Sequence, residues 1–295
     1  MQRVLLVLVL VLLATPSCGR KSKKARQKDG GQNVLRRLKG KLAALESLPA
    51  CQLPRVDARA VSLEEFRNNI QERGAVLIEH GTPQWADAMQ FWDAENTTAH
   101  HGEEIIAIQD PELLVKRGSF APVIGRRQLG EYVENMEAEP NPVFWNRWMQ
   151  VTDALVADLA SSGGSDAGHA YDHLPTRSLR FHHIFSLGGV GTGVGFHAHS
   201  ENWLGQVAGR KAWFVAPPGP HSKDADWEKK HGCEWLLGDP SAASQDPRIK
   251  SCIVEPGQAI YIPTGWHHAT CNMDEFTLSL GGQGDVGDAS DLATA

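Results

Sequence analysis

VGFHAHSENW, residues 194–203, and AIYIPTGWHHATCN, residues 259–272, decide how this 295-residue chain is read. In the first, His197 and His199 stand two apart on a predicted strand, so their side chains leave one face and converge on one point. In the second, Pro263, Thr264 and Gly265 make a turn, and Trp266, His267 and His268 follow it. Adjacent strand residues face opposite ways, so only one of His267 and His268 joins an inward site. A histidine pair on one strand and a third histidine on a later strand is how a barrel assembles a three-ligand metal site.

The flanking sequence has the same short period. SLRFHHIFSL (178–187), KAWFVAPPG (211–219), IKSCIVEPG (249–257) and FTLSLGG (276–282) are apolar runs of strand length separated by turn residues. Six or more such strands at close spacing predict a sandwich or barrel. Upstream the pattern is mixed. VSLEEF (61–66) reads as a capped helix start with Ser62 at the N-cap and Glu65 three residues on, and GAVLIEHG (74–81) reads as a buried strand. ADAMQFWDA (86–94) and FWNRWMQVTDALVADLA (144–160) read as helices, EEIIAIQ (103–109) as a strand and AHHGEE (99–104) as a loop. SSGGSDAGHA (161–170) is a loop by composition.

FHAHSENWLGQVAGRKAWFVAPPG, followed by EPGQAIYIPTGWHHATCN, resembles the Jumonji-C branch of the cupin superfamily over residues 178–285. The resemblance implies a mainly β fold with α elaboration: a double-stranded β-helix, the cupin jelly-roll barrel, behind a helical or α+β N-terminal layer. It implies use of Fe(II), 2-oxoglutarate and O₂ to hydroxylate or demethylate a protein side chain. Carried over by position, His197 looks like the first metal ligand and His268 the last. Lys211 occupies the place of the family's basic residue for the distal carboxylate of 2-oxoglutarate. Asn272 borders the same pocket, and Trp203 belongs to its wall.

Two departures matter. His199 stands where most active members keep Asp or Glu, so the expected ligands are three neutral imidazoles, His197, His199 and His268. Glu201 is a substitute carboxylate that would need a bend in the strand to reach the metal. Leu204 stands where related sequences often carry asparagine near the cosubstrate. The expected function is therefore a 2-oxoglutarate-dependent protein hydroxylase. The alternatives are a non-catalytic scaffold of the same fold, or a three-histidine cupin dioxygenase that needs no 2-oxo acid.

The leader MQRVLLVLVLVLLATPSCGR has an arginine, an apolar run from Val4 to Ala14 and small residues after it, the layout of a secretory signal over residues 1–19. Residues 20–42 carry ten Lys or Arg against one Asp, while the net charge is −6, so the body is acidic. The basic segment reads as a solvated linker, with no nucleic-acid partner behind it. The expected organisation is signal 1–19, basic linker and short helix 20–52 (VLRRLKGKLAALESL), α+β layer 53–165, barrel 166–285 and disordered tail 286–295. Removal of the leader leaves Cys51, Cys233, Cys252 and Cys271, enough for one or two disulfides in an oxidising lumen. Asn96-Thr97-Thr98 is then a glycosylation acceptor. The expected place is the endoplasmic reticulum lumen or outside the cell, without stable membrane insertion once the leader is gone. No paired C-x-x-C pattern accompanies the barrel, and histone demethylation is disfavoured.

Overall fold

The computed structural model describes residues 51–69, 73–80, 86–109, 123–137, 143–144, 150–161, 181–219, 232–233 and 247–284. The leader, the basic linker with its short helix, residues 162–170 of the glycine-rich loop and the C-terminal tail lie outside the described residues.

Eight strands form the barrel: β6 (Phe181–Gly188), β7 (Gly193–His197), β8 (Asn202–Ala208), β9 (Lys211–Ala216), β10 (Lys250–Val254), β11 (Ala259–Ile262), β12 (His267–Asn272) and β13 (Thr277–Gly284). They distribute between two antiparallel sheets. The smaller has the order β10-β9-β12-β7, and the larger contains β11-β8-β13-β6. Successive strands thus mostly switch sheets, the winding of a double-stranded β-helix. Strand β8 was not anticipated from sequence, because NWLGQVA lacks a clean two-residue alternation; it is buried on both faces and does not need one.

The larger sheet extends past the barrel. β1 (Arg55–Asp57) and β2 (Val76–Glu79) continue it beyond β11, β5 (Val143–Phe144) continues it beyond β6, and β3 (Ile105–Gln109) pairs with β4 (Val123–Gln128) in a separate sheet. The N-terminal layer is therefore built into the barrel's own sheet. Phe144, expected in a helix, lies in β5, and the helix described after it spans Gln150–Ser161.

Alternation along the strands divides the apolar residues into two cores. Leu77, Ile184, Leu204, Trp213, Val215, Val254, Ile260 and Ile262 pack between the sheets. Val76, Ile78, Phe185, Leu187, Trp203, Val207, Tyr261 and Leu280 pack on the other side of the larger sheet, against helices. Those helices are α1 (Leu63–Asn69), α2 (Ala86–Phe91), α3 (Ala94–His101), α4 (Leu129–Glu134) and α5 (Gln150–Ser161). Ser62 caps α1 through a 3.1 Å bond from the Glu65 amide. Phe66 of that helix meets Tyr261 edge-on at 5.5 Å.

His100 and His101, read as loop residues, close helix α3 instead. Asp93 caps that helix, and His101 stacks on Trp92 and bonds Glu104 at 3.0 Å. Glu104 also accepts from the Val151 amide at the start of α5, and Trp92 Nε1 donates to Asp158. Through Glu104, His101 thus ties the end of α3 to the start of α5. The Asn96-Thr97-Thr98 triplet sits in α3 with Thr97 fully buried.

Two disulfides join distant parts of the chain, Cys51–Cys252 and Cys233–Cys271. The first spans 201 residues and ties the N-terminal segment to β10. Changing both Cys51 and Cys252 to serine is expected to lower stability by about 2–5 kcal/mol in a urea titration, since the crosslink restrains a long loop in the unfolded chain. Peptide mapping without reductant should return these two pairings.

Candidate metal centre

One nitrogen from each of His197, His199 and His268 lies within 4.8 Å of the others, and no carboxylate belongs to this cluster among the described residues. The ring centroids are 4.3 Å apart for His197 and His268, 4.8 Å for His199 and His268 and 5.2 Å for His197 and His199. His197 ends β7 directly opposite His268 on β12. His199 lies just beyond β7, not on it as the two-residue spacing suggested. It is placed by the loop that leads into β8.

That loop is held from two sides. The Gly265 amide donates to the His199 carbonyl at 2.9 Å, and the Glu201 amide donates to Thr264 Oγ1 at 3.0 Å. The Pro-Thr-Gly turn, with Gly265 at φ 77°, thus fixes the loop of one ligand while it aims the strand of another. At the end of β13 the Gly284 amide donates to the Glu201 carbonyl at 3.0 Å, and Ser200 Oγ donates to the Gly284 carbonyl. A register shift between β12 and β7 falls between His268 and Thr270, where Gly193 passes so close to the Thr270 carbonyl that a Cβ would collide.

The three rings share one hydrogen-bonding pattern. Nδ1 of His197 bonds the Gly195 carbonyl at 2.9 Å, Nδ1 of His199 bonds the Ser200 carbonyl at 2.7 Å and Nδ1 of His268 bonds the Trp266 carbonyl at 3.2 Å. A carbonyl only accepts, so each Nδ1 carries the proton and each Nε2 presents a lone pair. This is the arrangement that orients metal-binding imidazoles. Burial holds all three rings neutral: His197 is pushed down to about 3, with its neighbour His199 adding to the effect, and His199 and His268 are also lowered, mainly by desolvation. The donor set fits a borderline divalent cation such as iron(II), which takes imidazole nitrogen readily.

Because the rings are neutral without a metal, protons compete little for the site. Cobalt(II) affinity should therefore fall less between pH 8 and pH 6 than it would for three free imidazoles, which would lose about fourfold each. Equilibrium dialysis at the two pH values checks this. Without metal, the depressed histidines take up protons more readily when unfolded. Stability should fall as pH drops below about 6.5.

Lys211 and Asn272 face each other across β9 and β12, as do Trp213 and Thr270, and Val215 and His268. These positions share the inner face of the smaller sheet. Lys211 is 2% exposed, and its Nζ donates to Ser186 Oγ on the opposite sheet at 2.7 Å. No carboxylate pairs with it among the described residues, and burial lowers it to about 7. Asn272 donates to Thr192 Oγ1 at 2.9 Å, and its Oδ1 is buried without a partner. A lone buried ammonium of this kind fits an anion in the barrel.

Ile184, Val194, Trp203, Leu204, Trp213 and Thr270 line the pocket around the imidazoles. Trp203 belongs chiefly to the core against the helices and adds to this wall. Trp213 lies 5.7 Å from the His268 ring. Glu201 does not substitute for a ligand: its carboxylate accepts from Tyr261 Oη at 3.0 Å, away from the cluster. His267 is half-buried on the opposite side of β12 from His268. Two residues escaped the sequence reading. Ser186 had no signal beyond strand alternation with Ile184. Asn202, 4% exposed and also lining the pocket, became conspicuous only once β8 was placed.

A double-stranded β-helix that converges three imidazoles from β7, the following loop and β12 is a cupin-type metal barrel. No protein-family model matches the chain. It is 35% identical to JmjC domain-containing protein 8 of Rattus norvegicus over 91 residues, 30% of this chain and 33% of the relative. It is 27% identical to arginine-specific demethylase JMJ20 of Arabidopsis thaliana over 158 residues, 51% of this chain and 32% of the relative. It is 29% identical to 2-oxoglutarate and iron-dependent oxygenase JMJD4 of Mus musculus over 149 residues, 45% and 34% of the two chains. The matched segments cover about a third of the length of these relatives. In sequence the chain is thus similar to JmjC-domain proteins, and this fold and histidine cluster are of the JmjC, cupin-like kind.

Proposed function

We propose that the chain is an iron(II)- and 2-oxoglutarate-dependent oxygenase that acts on a protein side chain in the secretory pathway. The observation that carries this reading is the pairing of two features on one barrel interior: three Nδ1-anchored imidazoles, and a buried lysine without an acid partner among the described residues. Similarity to a relative named a 2-oxoglutarate and iron-dependent oxygenase supports the cofactors, and similarity to one named an arginine-specific demethylase supports a protein substrate.

Iron(II) with a chelated 2-oxo acid supplies O₂ activation coupled to oxidative decarboxylation when bound. The chain's own contribution is positional. His197, His199 and His268 hold the cation by Nε2, each fixed by a backbone carbonyl. Lys211, protonated in the complex, receives the distal carboxylate, with Ser186 steadying Nζ. Leu204, Trp213 and Ile184 keep water from the centre. Three neutral ligands leave the cation's double charge uncompensated by the protein, which favours anionic cosubstrates.

The leader and two disulfides support a lumenal or extracellular setting with O₂ as co-reactant. No described helix is long and apolar enough to cross a membrane. The test is anaerobic loading with iron(II) followed by titration with 2-oxoglutarate, watching for the weak visible absorption of the 2-oxo acid on iron(II). Its appearance supports the oxygenase. Iron binding without it points to a three-histidine dioxygenase that needs no 2-oxo acid, and no iron binding points to a scaffold.

A further inference from the structure

Asn202 opens β8 on the larger sheet and reaches across the barrel into the histidine cluster. Its Nδ2 lies 3.1 Å from His199 Nε2, 3.4 Å from His268 Nε2 and 3.5 Å from His199 Nδ1. Its Oδ1 is fully enclosed and has no hydrogen-bond partner among the described residues. The amide therefore spends its donors on the lone pairs a metal would take, and leaves a buried acceptor unsatisfied, a costly arrangement.

A bound cation offers the orphaned acceptor a partner. When a cation takes the Nε2 lone pairs, Nδ2 loses its acceptors and presents partial positive charge to a metal. A half-turn of the amide about its terminal bond exchanges nitrogen for oxygen with almost no change of shape. Oδ1 then faces the cation, and the orphaned acceptor gains a partner. We infer that Asn202 is a fourth protein donor of the metal centre, giving its side-chain carbonyl oxygen to the ion. The inference rests on the metal centre proposed above and extends it to a residue outside the histidine set. Carbonyl oxygen is a hard, neutral donor, weaker than the carboxylate that His199 replaces. Asn202 thus supplies oxygen ligation on a different strand, in a form that an incoming anion displaces more easily than a carboxylate.

The test uses metal-free full-length protein titrated with cobalt(II), read by calorimetry and by the visible absorption of the bound ion, without reference to turnover. Wild type, N202A and the isosteric N202D are compared, with thermal melts of the metal-free forms as a control for folding. N202A is expected to bind cobalt about 10- to 100-fold more weakly, and N202D to bind it more tightly than wild type, each with an altered spectrum. If Asn202 serves only as a hydrogen-bond donor to the imidazoles, N202D loses that donor and binds no better than wild type, which overturns the inference. Wild-type spectra and affinities in both variants overturn it as well. If wild type itself takes no cobalt, the metal centre fails, and this inference falls with it.

Discussion

Replacing His268 with alanine is expected to remove metal binding, lowering iron(II) or cobalt(II) affinity more than about 100-fold, beyond the loss typical of an outer partner. His268 is the ring the other two lean on. It is 3% exposed, its centroid is within 4.8 Å of both partners, and its strand is paired on one side with β7 and on the other with β9. Nothing can shift to replace it, because the Trp266 carbonyl and the Pro-Thr-Gly turn aim the position itself. The neighbouring His267→Ala should bind metal as wild type does, since that side chain belongs to the other face of β12. His199→Asp carries the opposite expectation: a carboxylate in the loop position compensates charge on the cation, and iron(II) retention should rise. Metal content after gel filtration separates all three outcomes. Equal metal content in His268→Ala and wild type would refute the ligand assignment.

Replacing Lys211 with methionine should act in two directions at once. The ammonium sits in the barrel with one hydroxyl as its partner, so the folded protein resists its protonation and the unfolded chain does not. The sign follows from proton counts. Between about pH 7, the folded value, and the ordinary lysine range, the unfolded chain binds more protons, so wild-type stability rises with pH across that window. Below about pH 7 both states are protonated and the cost of the buried charge is complete. Methionine has similar length and no charge, so the metal-free variant is expected to be more stable than wild type at pH 7, by an amount on the order of 1–4 kcal/mol, and to lose the rise with pH. Function should move the other way. With no cation to meet the distal carboxylate, 2-oxoglutarate affinity should fall by a factor of about 100 or more, as expected for a buried charge pair that loses one member. Melting curves at pH 7 and pH 9 and a titration with 2-oxoglutarate read both effects on one variant. A variant less stable than wild type and unchanged in binding would place Lys211 in a purely structural role.

The departures at His199 and Leu204 now have a physical setting. His199 is carried by a loop tied to the turn that precedes His268, so its identity and its position are separately determined: the loop places any residue there against the metal pocket. Leu204 joins Trp213 and Ile184 in an apolar wall, which makes the space around the imidazoles drier than an asparagine would. On the proposed function, such a site would hold a cation through neutral donors, Asn202 among them, and would rely on Lys211 for charge recognition at the far end.

The residue order alone determined a large part of this protein. Short apolar runs between turn residues specified strands, since a two-residue period buries one face only when the chain is extended. The Pro-Thr-Gly turn and the H-x-H pair announced a gathering of imidazoles, and the family resemblance marked Lys211 as the basic residue for a carboxylate. Ser62 and Glu65 marked a helix start because capping is a local interaction. What the order could not determine lies in contacts between distant segments. Alternation allowed either His267 or His268 to face inward, and the register of β12 against β7 and β9 decided it. The loop position of His199, the helix that closes on His100 and His101, the two disulfide pairings and the continuation of the barrel sheet into β1, β2 and β5 each depend on elements far apart in the chain. Asn202 is the clearest case. Nothing near it in sequence distinguishes it from a polar residue at a strand end, and only the closing of the two sheets, which brings β8 opposite β7 and β12, buries its amide against the His199 and His268 imidazoles.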